Sequence, residues 1–188
     1  MRLPILSYEK LTPKQKEVYD KHVERRSYVT GPYDVWSHSP ALFEKVSAVS
    51  NYMRFDCNLP VKLREFGLLV TARYWDAQYS WNAHVDKAIA AGIPADVVRD
   101  LADGKKPNFK ADDERVYYNF AMEVLENHFV SSETFNEARK IFGEEALVDL
   151  IGSVGYFSML QICLNSAEVD LQDRAPPFKD VRGYKKIT

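Results

Sequence analysis

Glu65 and His84 are the two side chains whose type and setting most suggest chemistry. Glu65 stands at helical spacings of three, four and seven from Val61, Leu68, Leu69 and Ala72, so a carboxylate interrupts an apolar face. Stripped of water there, its pKa rises unless a cation or a donor compensates. Arg64 is the adjacent candidate, although neighbouring side chains on a helix diverge and another basic group can serve. His84 shares a line with Ala77, Ser80, Ala88 and Ala91, while Trp81, Val85 and Ile89 form a bulkier stripe beside it. That small-residue face leaves room for a ligand or a second helix, and an imidazole can give and take protons near neutral pH. Each residue alone also has a plain structural reading, Glu65 in a buried ion pair and His84 as a hydrogen-bonded core residue. Two helices joined by a tight turn would lie antiparallel and let Glu65 meet His84, with Tyr79 and Asn82 as further donors.

The elements that must position this pair are helical throughout. Thr12-Pro13 places a hydroxyl cap before a proline that needs no amide partner, opening a helix from Lys14 to about Arg26. Ser39-Pro40 repeats the device for Ala41 to about Arg54, and Ser27 to His38 between them reads as a loop because Gly31-Pro32 is a strong breaker. Pro60 starts the helix Val61 to about Tyr74, and a joint at Trp75-Asp76 leads into Ala77 to Ala91, ended by Gly92. A short helix runs from Pro94 to Ala102. Gly104 to Lys110 is a polar linker, and Asp112-Asp113 gives an acidic start to an amphipathic helix through Leu125. Ser131 caps the next helix, which ends at Gly143. Glu144 to about Ala167 is apolar nearly all round and reads as the central buried helix. Gly67, Gly152 and Gly155 inside helices point to close approach of helices or subunits, or to relief of crowding within one core. The segment from Val169 reads as a surface arm after a core of about residues 30–168, within a single domain of residues 1–188.

Composition narrows the partners. With 188 residues, 46% hydrophobic and 28% charged, the chain can bury one domain's core. A net charge of -2 from 25 basic and 27 acidic side chains gives no footprint for nucleic acid or an anionic membrane. There is no signal-peptide run and no stretch of 18 apolar residues, so a cytoplasmic location is expected. Cys57 and Cys163 form neither a disulfide framework nor a Cys-x-x-Cys pair. His22, His38, His84 and His128 are dispersed, with no His-Glu-x-x-His and no Glu-x-x-His, so no metal is expected. Ser80 has His84 at i+4 as a potential base, yet no third orienting group is identifiable.

The run Arg64-Glu65, Tyr79, Trp81, His84 and Ala90-Ala91-Gly92 resembles the carboxymuconolactone decarboxylase family, within the alkylhydroperoxidase D superfamily. That family's hallmark is a helical hairpin with Arg-Glu on the first helix and Tyr-x-Trp-x-x-His, alanines and a glycine on the second. The similarity extends through Gly31-Pro32-Tyr33-Asp34-Val35-Trp36, Ser39-Pro40, Val154-Gly155-Tyr156, Asn165 and Val169, covering about residues 30–178. Two departures matter. The peroxidase branch uses Cys-x-x-Cys-x-x-x-His with a glutamate twelve residues earlier, and here the cysteine places hold Ala77 and Ser80 while the glutamate place holds Glu65. Many decarboxylase-like members carry a glutamate where this chain has Ser80.

The resemblance implies an all-α, alkylhydroperoxidase D-like bundle built round a helical hairpin and assembled as a homo-oligomer, a trimer or hexamer. It implies cofactor-independent loss of carbon dioxide from a small carboxylated lactone or aromatic acid, in aromatic-compound catabolism. Glu65 and His84 would handle the proton. Tyr79, Ser80, Trp81, Asn82, Tyr33 and Trp36 are the candidate substrate contacts, although aromatics at 13% of residues make packing the default for most of them. Isomerase, dehydratase or retro-aldol chemistry uses the same parts. A non-catalytic oligomeric scaffold that keeps the pair for structure is the alternative of a different class, as is a protein that is peroxidase-like in name only.

Overall fold

The computed structural model describes residues 1–171 and 173–179, and every regular element within them is helical. A 3-10 turn at Tyr8–Lys10 precedes α1 (Pro13–Arg26). The start of α1 is a reciprocal capping box: Thr12 Oγ1 accepts from the Gln15 amide at 3.3 Å, and the Thr12 amide donates to Gln15 Oε1 at 2.9 Å. The expected loop contains a further helix, α2 (Pro32–Trp36), entered through Gly31 at φ 67, with Pro32 where a missing amide costs nothing. Five residues are too few to show a period, which is why the spacing alone read as loop. α3 (Pro40–Asn51) begins on Pro40, but Ser39 makes no side-chain cap bond. It passes into one π-helical turn, Tyr52–Asp56, so the regular helix stops before Arg54.

α4 (Val61–Tyr74) and α5 (Gln78–Ala90) form a hairpin, followed by α6 (Ala95–Ala102), α7 (Asp112–Asn127) and α8 (Ser132–Ala167). The centre of the fold is α4, not α8. Leu63, Phe66, Leu69 and Ala72 of α4 are completely buried, and the helix packs on α5, α6, α7 and α8. α8 is broken at Gly143 (φ 76, ψ 174), where the residue pattern places a helix end. Its second half turns Leu147, Leu150, Val154 and Phe157 inward, yet leaves Val148 65% and Ile151 47% exposed, with Met159 and Ile162 on the same face. A helix apolar all round therefore need not be central; here one face belongs to this chain's core and the other is uncovered within it. By length and composition α8 could cross a membrane, but half of its most apolar stretch is buried inside the fold.

The three helical glycines separate accordingly. Gly67 lies against Tyr117, Gly152 lies against Met53, and Gly155 has nothing within 4 Å of the side chain it lacks, on the exposed side of α8. The segment after Ala167 is more than a surface arm. It is exposed at Arg174 and Ala175, but Phe178 returns to the core, edge-on to Trp81 at 5.1 Å and under the Arg73 guanidinium at 4.9 Å. The basic residues Arg182, Lys185 and Lys186 lie outside the described residues. His22 is a core histidine, with Nδ1 3.0 Å from Ser47 Oγ and its ring 4.2 Å from that of Tyr33; burial and the Arg26 charge push its pKa down to about 4.

Candidate active site

The hairpin turn fixes how α4 and α5 face each other. Ala77 N donates to Ala72 O at 2.7 Å, Asp76 takes φ 53, and Arg73 Nη1 reaches Asp76 Oδ1 at 2.6 Å across the turn. Folded back this way, the helices bring His84 Nδ1 to 2.7 Å from Glu65 Oε2, a bond across 19 residues of chain. The pair is neither sealed nor open, with 17% of the His84 side chain and 13% of the Glu65 side chain exposed.

Their environments set the proton positions. Burial alone pushes the Glu65 carboxyl up, but the His84 hydrogen bond and the charges of His84, Lys87 and Arg54 outweigh it and hold the group below its ordinary value of 4.5. Burial pushes His84 below 6.5; Glu65 works against this, and Lys87 and Arg54 reinforce it. At neutral pH the state that follows is an ionised Glu65 accepting from Nδ1–H of a neutral His84, which leaves Nε2 with a free electron pair. Arg64 is not the counter-charge that adjacency suggested, because its Nη1 donates to the Arg54 carbonyl instead.

A cavity of about 240 Å³ adjoins the pair. Of the expected contacts, Tyr33, Tyr79 and Ser80 line it together with Glu65 and His84. Trp81, Trp36 and Asn82 are not among its lining residues. Trp81, 3% exposed, is spent on Phe178; Trp36, 4% exposed, packs edge-to-face on Tyr33 at 5.5 Å. Asn82 Nδ2 donates to the Ala175 carbonyl at 3.1 Å while its own carbonyl accepts from Arg174. Tyr79 is held in place by Gly31, where a Cβ would come within 2.8 Å of the tyrosine ring, so the approach of α2 to α5 requires glycine there. Among the described residues Ser80 makes no hydrogen bond to His84, whose Nδ1 is taken by Glu65.

Several lining residues escaped the sequence reading. Lys87 was legible in principle, one turn on from His84. Arg26 from the end of α1, Ser50 from α3, and Met53, Arg54 and Phe55 from the π turn carry no local mark of their destination. The lining thus holds four cationic side chains, Arg26, Arg54, Arg64 and Lys87, against the one carboxylate of Glu65. Neither cysteine lines it. Burial pushes the Cys57 thiol up and the Cys163 thiol to about 11, so neither is a ready thiolate. No three His, Cys, Asp or Glu side chains converge as a metal-ligand cluster among the described residues.

Neither a protein-family model nor a curated protein matches the chain. Solved structures are similar to it, two of them as follows. The alkylhydroperoxidase AhpD core of an uncharacterized peroxidase-related protein from Ralstonia eutropha JMP134 aligns with a TM-score of 0.74 at 19% identity, over 92% of each chain. An uncharacterized peroxidase-related protein from Silicibacter sp. TM1040 aligns with a TM-score of 0.71 at 15% identity, over 90% of each. At such identities the likeness is one of architecture, and it gives this chain the all-α, alkylhydroperoxidase D-like fold that its hairpin motif implies.

Proposed function

We propose that the protein is a cofactor-independent lyase for a small carboxylated lactone or aromatic acid, moving a proton through His84 and Glu65 as the resemblance to carboxymuconolactone decarboxylases implies. The observation that carries this reading is the 2.7 Å Glu65–His84 bond on the wall of a cavity whose other charges are all positive. Neutral His84 takes a proton through Nε2 from carbon beside a carbonyl. The electron pair passes to the carbonyl oxygen, where Lys87 and the Tyr79 and Ser80 hydroxyls are the available stabilisers. Glu65 steadies the resulting imidazolium, which returns the proton to carbon, a sequence that by itself exchanges or isomerises the acid without cleaving it. Where carbon dioxide leaves, the breaking C–C bond supplies the electron pair and the imidazolium delivers a solvent-derived proton to carbon. Thiol-dependent peroxide reduction, which the peroxidase-related similar proteins suggest, finds Ala77 and Ser80 at the cysteine places and only two protonated, off-site thiols.

The test follows carbon dioxide release, absorbance and solvent-deuterium incorporation with γ-carboxymuconolactone and related acids between about pH 4.5 and 8. Since burial holds His84 below 6.5, a base role makes kcat/KM rise with pH through that lowered pKa and level off by neutrality. A fall with rising pH over the same range assigns the governing step to proton delivery by the imidazolium. Absence of turnover and exchange on every acid would overturn the lyase reading.

Assembly is part of the proposal. Val148, Ile151, Met159 and Ile162, with Gly155 between them, recur at spacings of three and four on the exposed face of α8, the pattern of a helix seam. Homo-oligomerisation through this face is expected, and Ile151→Glu should dissociate the assembly in sedimentation equilibrium. A wild-type chain that sediments as a monomer would remove the assembly claim.

A further inference from the structure

We propose that the cavity contains a built carboxylate-binding pole, made by Arg26, Ser50, Tyr33 and Tyr156, that receives the anionic group of the substrate while Glu65 and His84 act on its carbon skeleton. The inference deepens the lyase reading and rests on it only in taking the cavity as a substrate site. Four elements supply the pole: α1 gives Arg26, α2 gives Tyr33, α3 gives Ser50 and α8 gives Tyr156, and all four residues line the cavity.

Two features of this cluster ask for an anion. Arg26 is 9% exposed, and among the described residues its hydrogen bonds go only to neutral acceptors: Nη2 to the Ser50 carbonyl at 2.7 Å and to Ser50 Oγ, and Nε to Asn51 Oδ1 at 2.9 Å. It forms no salt bridge among the described residues, so a buried guanidinium is anchored but not neutralised. The rings of Tyr33 and Phe55, 5.7 and 5.3 Å from its carbon, hold the fork in place. The second feature is Tyr156. The residue is 8% exposed and its hydroxyl is buried close to the Ser50 and Tyr33 hydroxyls, which are bonded to each other at 2.5 Å and give it no well-aligned hydrogen bond of its own. Burial pushes the Tyr156 phenol well above its ordinary value, so it remains a donor at any working pH.

A buried cation without an anion and a buried donor without a well-aligned acceptor, side by side in one cavity, are both satisfied by one carboxylate. Met53, Phe157 and Leu160 line the same space and give the apolar contact that a ring would fill. A volume of about 240 Å³ lies below the usual range for drug-sized ligands and suits a single-ring acid.

The experiment is isothermal titration calorimetry of the whole protein with benzoate and with benzamide, which keeps the shape and loses the charge. Benzoate is expected to bind at least about tenfold more tightly. Tyr156→Phe should weaken benzoate by about five- to tenfold and change Tm little, because the hydroxyl it removes has only poorly aligned contacts with Ser50 and Tyr33 to lose. Arg26→Gln should abolish the preference for benzoate. Equal binding of the two probes, no binding of benzoate, or an unchanged benzoate affinity in Tyr156→Phe would each overturn the proposal. The two readings fail separately. A benzoate preference that depends on Tyr156 in a protein that turns over no acid removes the lyase and keeps the pole, whereas turnover with indifferent probe binding does the reverse.

Discussion

His84→Ala is expected to lower kcat/KM on the turned-over acid by about 10²- to 10⁴-fold, the range lost when a positioned general base is removed. Solvent-deuterium incorporation should vanish with it. The fold should survive, since the side chain lies on a cavity wall, and Lys87 and Arg54 remain to offset the charge of Glu65. A loss of about 1–3 kcal/mol is the cost expected for leaving the part-buried carboxylate without its donor, and circular dichroism with sedimentation measures whether structure and assembly persist. A pair kept only for structure gives a similar loss of stability but leaves turnover per folded molecule unchanged.

Glu65→Gln separates positioning from proton transfer. The glutamine amide can donate to Nδ1 where the carboxylate could only accept, which turns the imidazole to the tautomer with the proton on Nε2 and removes the base. The expected fall in kcat/KM is about 10²- to 10³-fold. The residual activity should carry a shifted pH profile. Glu65 is the group that raises the His84 pKa against burial, so its neutralisation lets that pKa fall further and moves the rising limb to lower pH. An unshifted limb would mean that the titrating group in catalysis is not His84.

How far the site was legible follows from the range over which each signal acts. Helix starts at Pro13, Pro40 and Val61 were visible because caps and prolines work through adjacent backbone groups. Glu65 and His84 were visible because helical period and a short turn suffice to bring two helices face to face. Within α5 the same period sorts the remaining candidates: Ser80 is one turn from His84 and reaches the cavity, while Trp81 and Asn82, rotated about 100° and 200° from Ser80, serve Phe178 and the terminal segment. Their type suggested substrate contacts and their phase did not. Arg26 and Ser50 could not be read at all, and Tyr156 only as part of the family-like run Val154-Gly155-Tyr156, for no local pattern says that the ends of α1 and α3 and a late turn of α8 converge. α8 misled in a different way, since an apolar circumference looks the same whether it is covered by one chain or left partly exposed.

Gly67→Ala is expected to be the most destabilising small substitution in the molecule. Gly67 of α4 faces Tyr117 of α7, which is fully buried and shares a 2.8 Å bond between its hydroxyl and Ser153 Oγ of α8. A Cβ at position 67 would fall 2.0 Å from Tyr117 Oη and 2.6 Å from Cζ, on the rigid end of a ring with no free space to turn into. Either α4 and α7 separate or the ring moves and breaks the Ser153 bond. Overpacking and the lost buried bond together outweigh the roughly 1 kcal/mol of helix propensity that alanine gains, for a net loss of about 2–4 kcal/mol. In a chain of this length that lowers Tm by about 5–15 °C, measurable by calorimetry. Tyr117→Phe in the same chain should return part of the loss, because it removes the atom in closest conflict. Ser153 Oγ keeps its 2.7 Å bond to the Leu150 carbonyl, so the added change leaves no orphaned hydroxyl. The rescue should be incomplete, since the ring carbon remains too close, and the two substitutions should therefore be strongly non-additive. Additive effects, or a Gly67→Ala Tm within about 1 °C of wild type, would show that α4 and α7 can part without cost and that the position does not demand glycine.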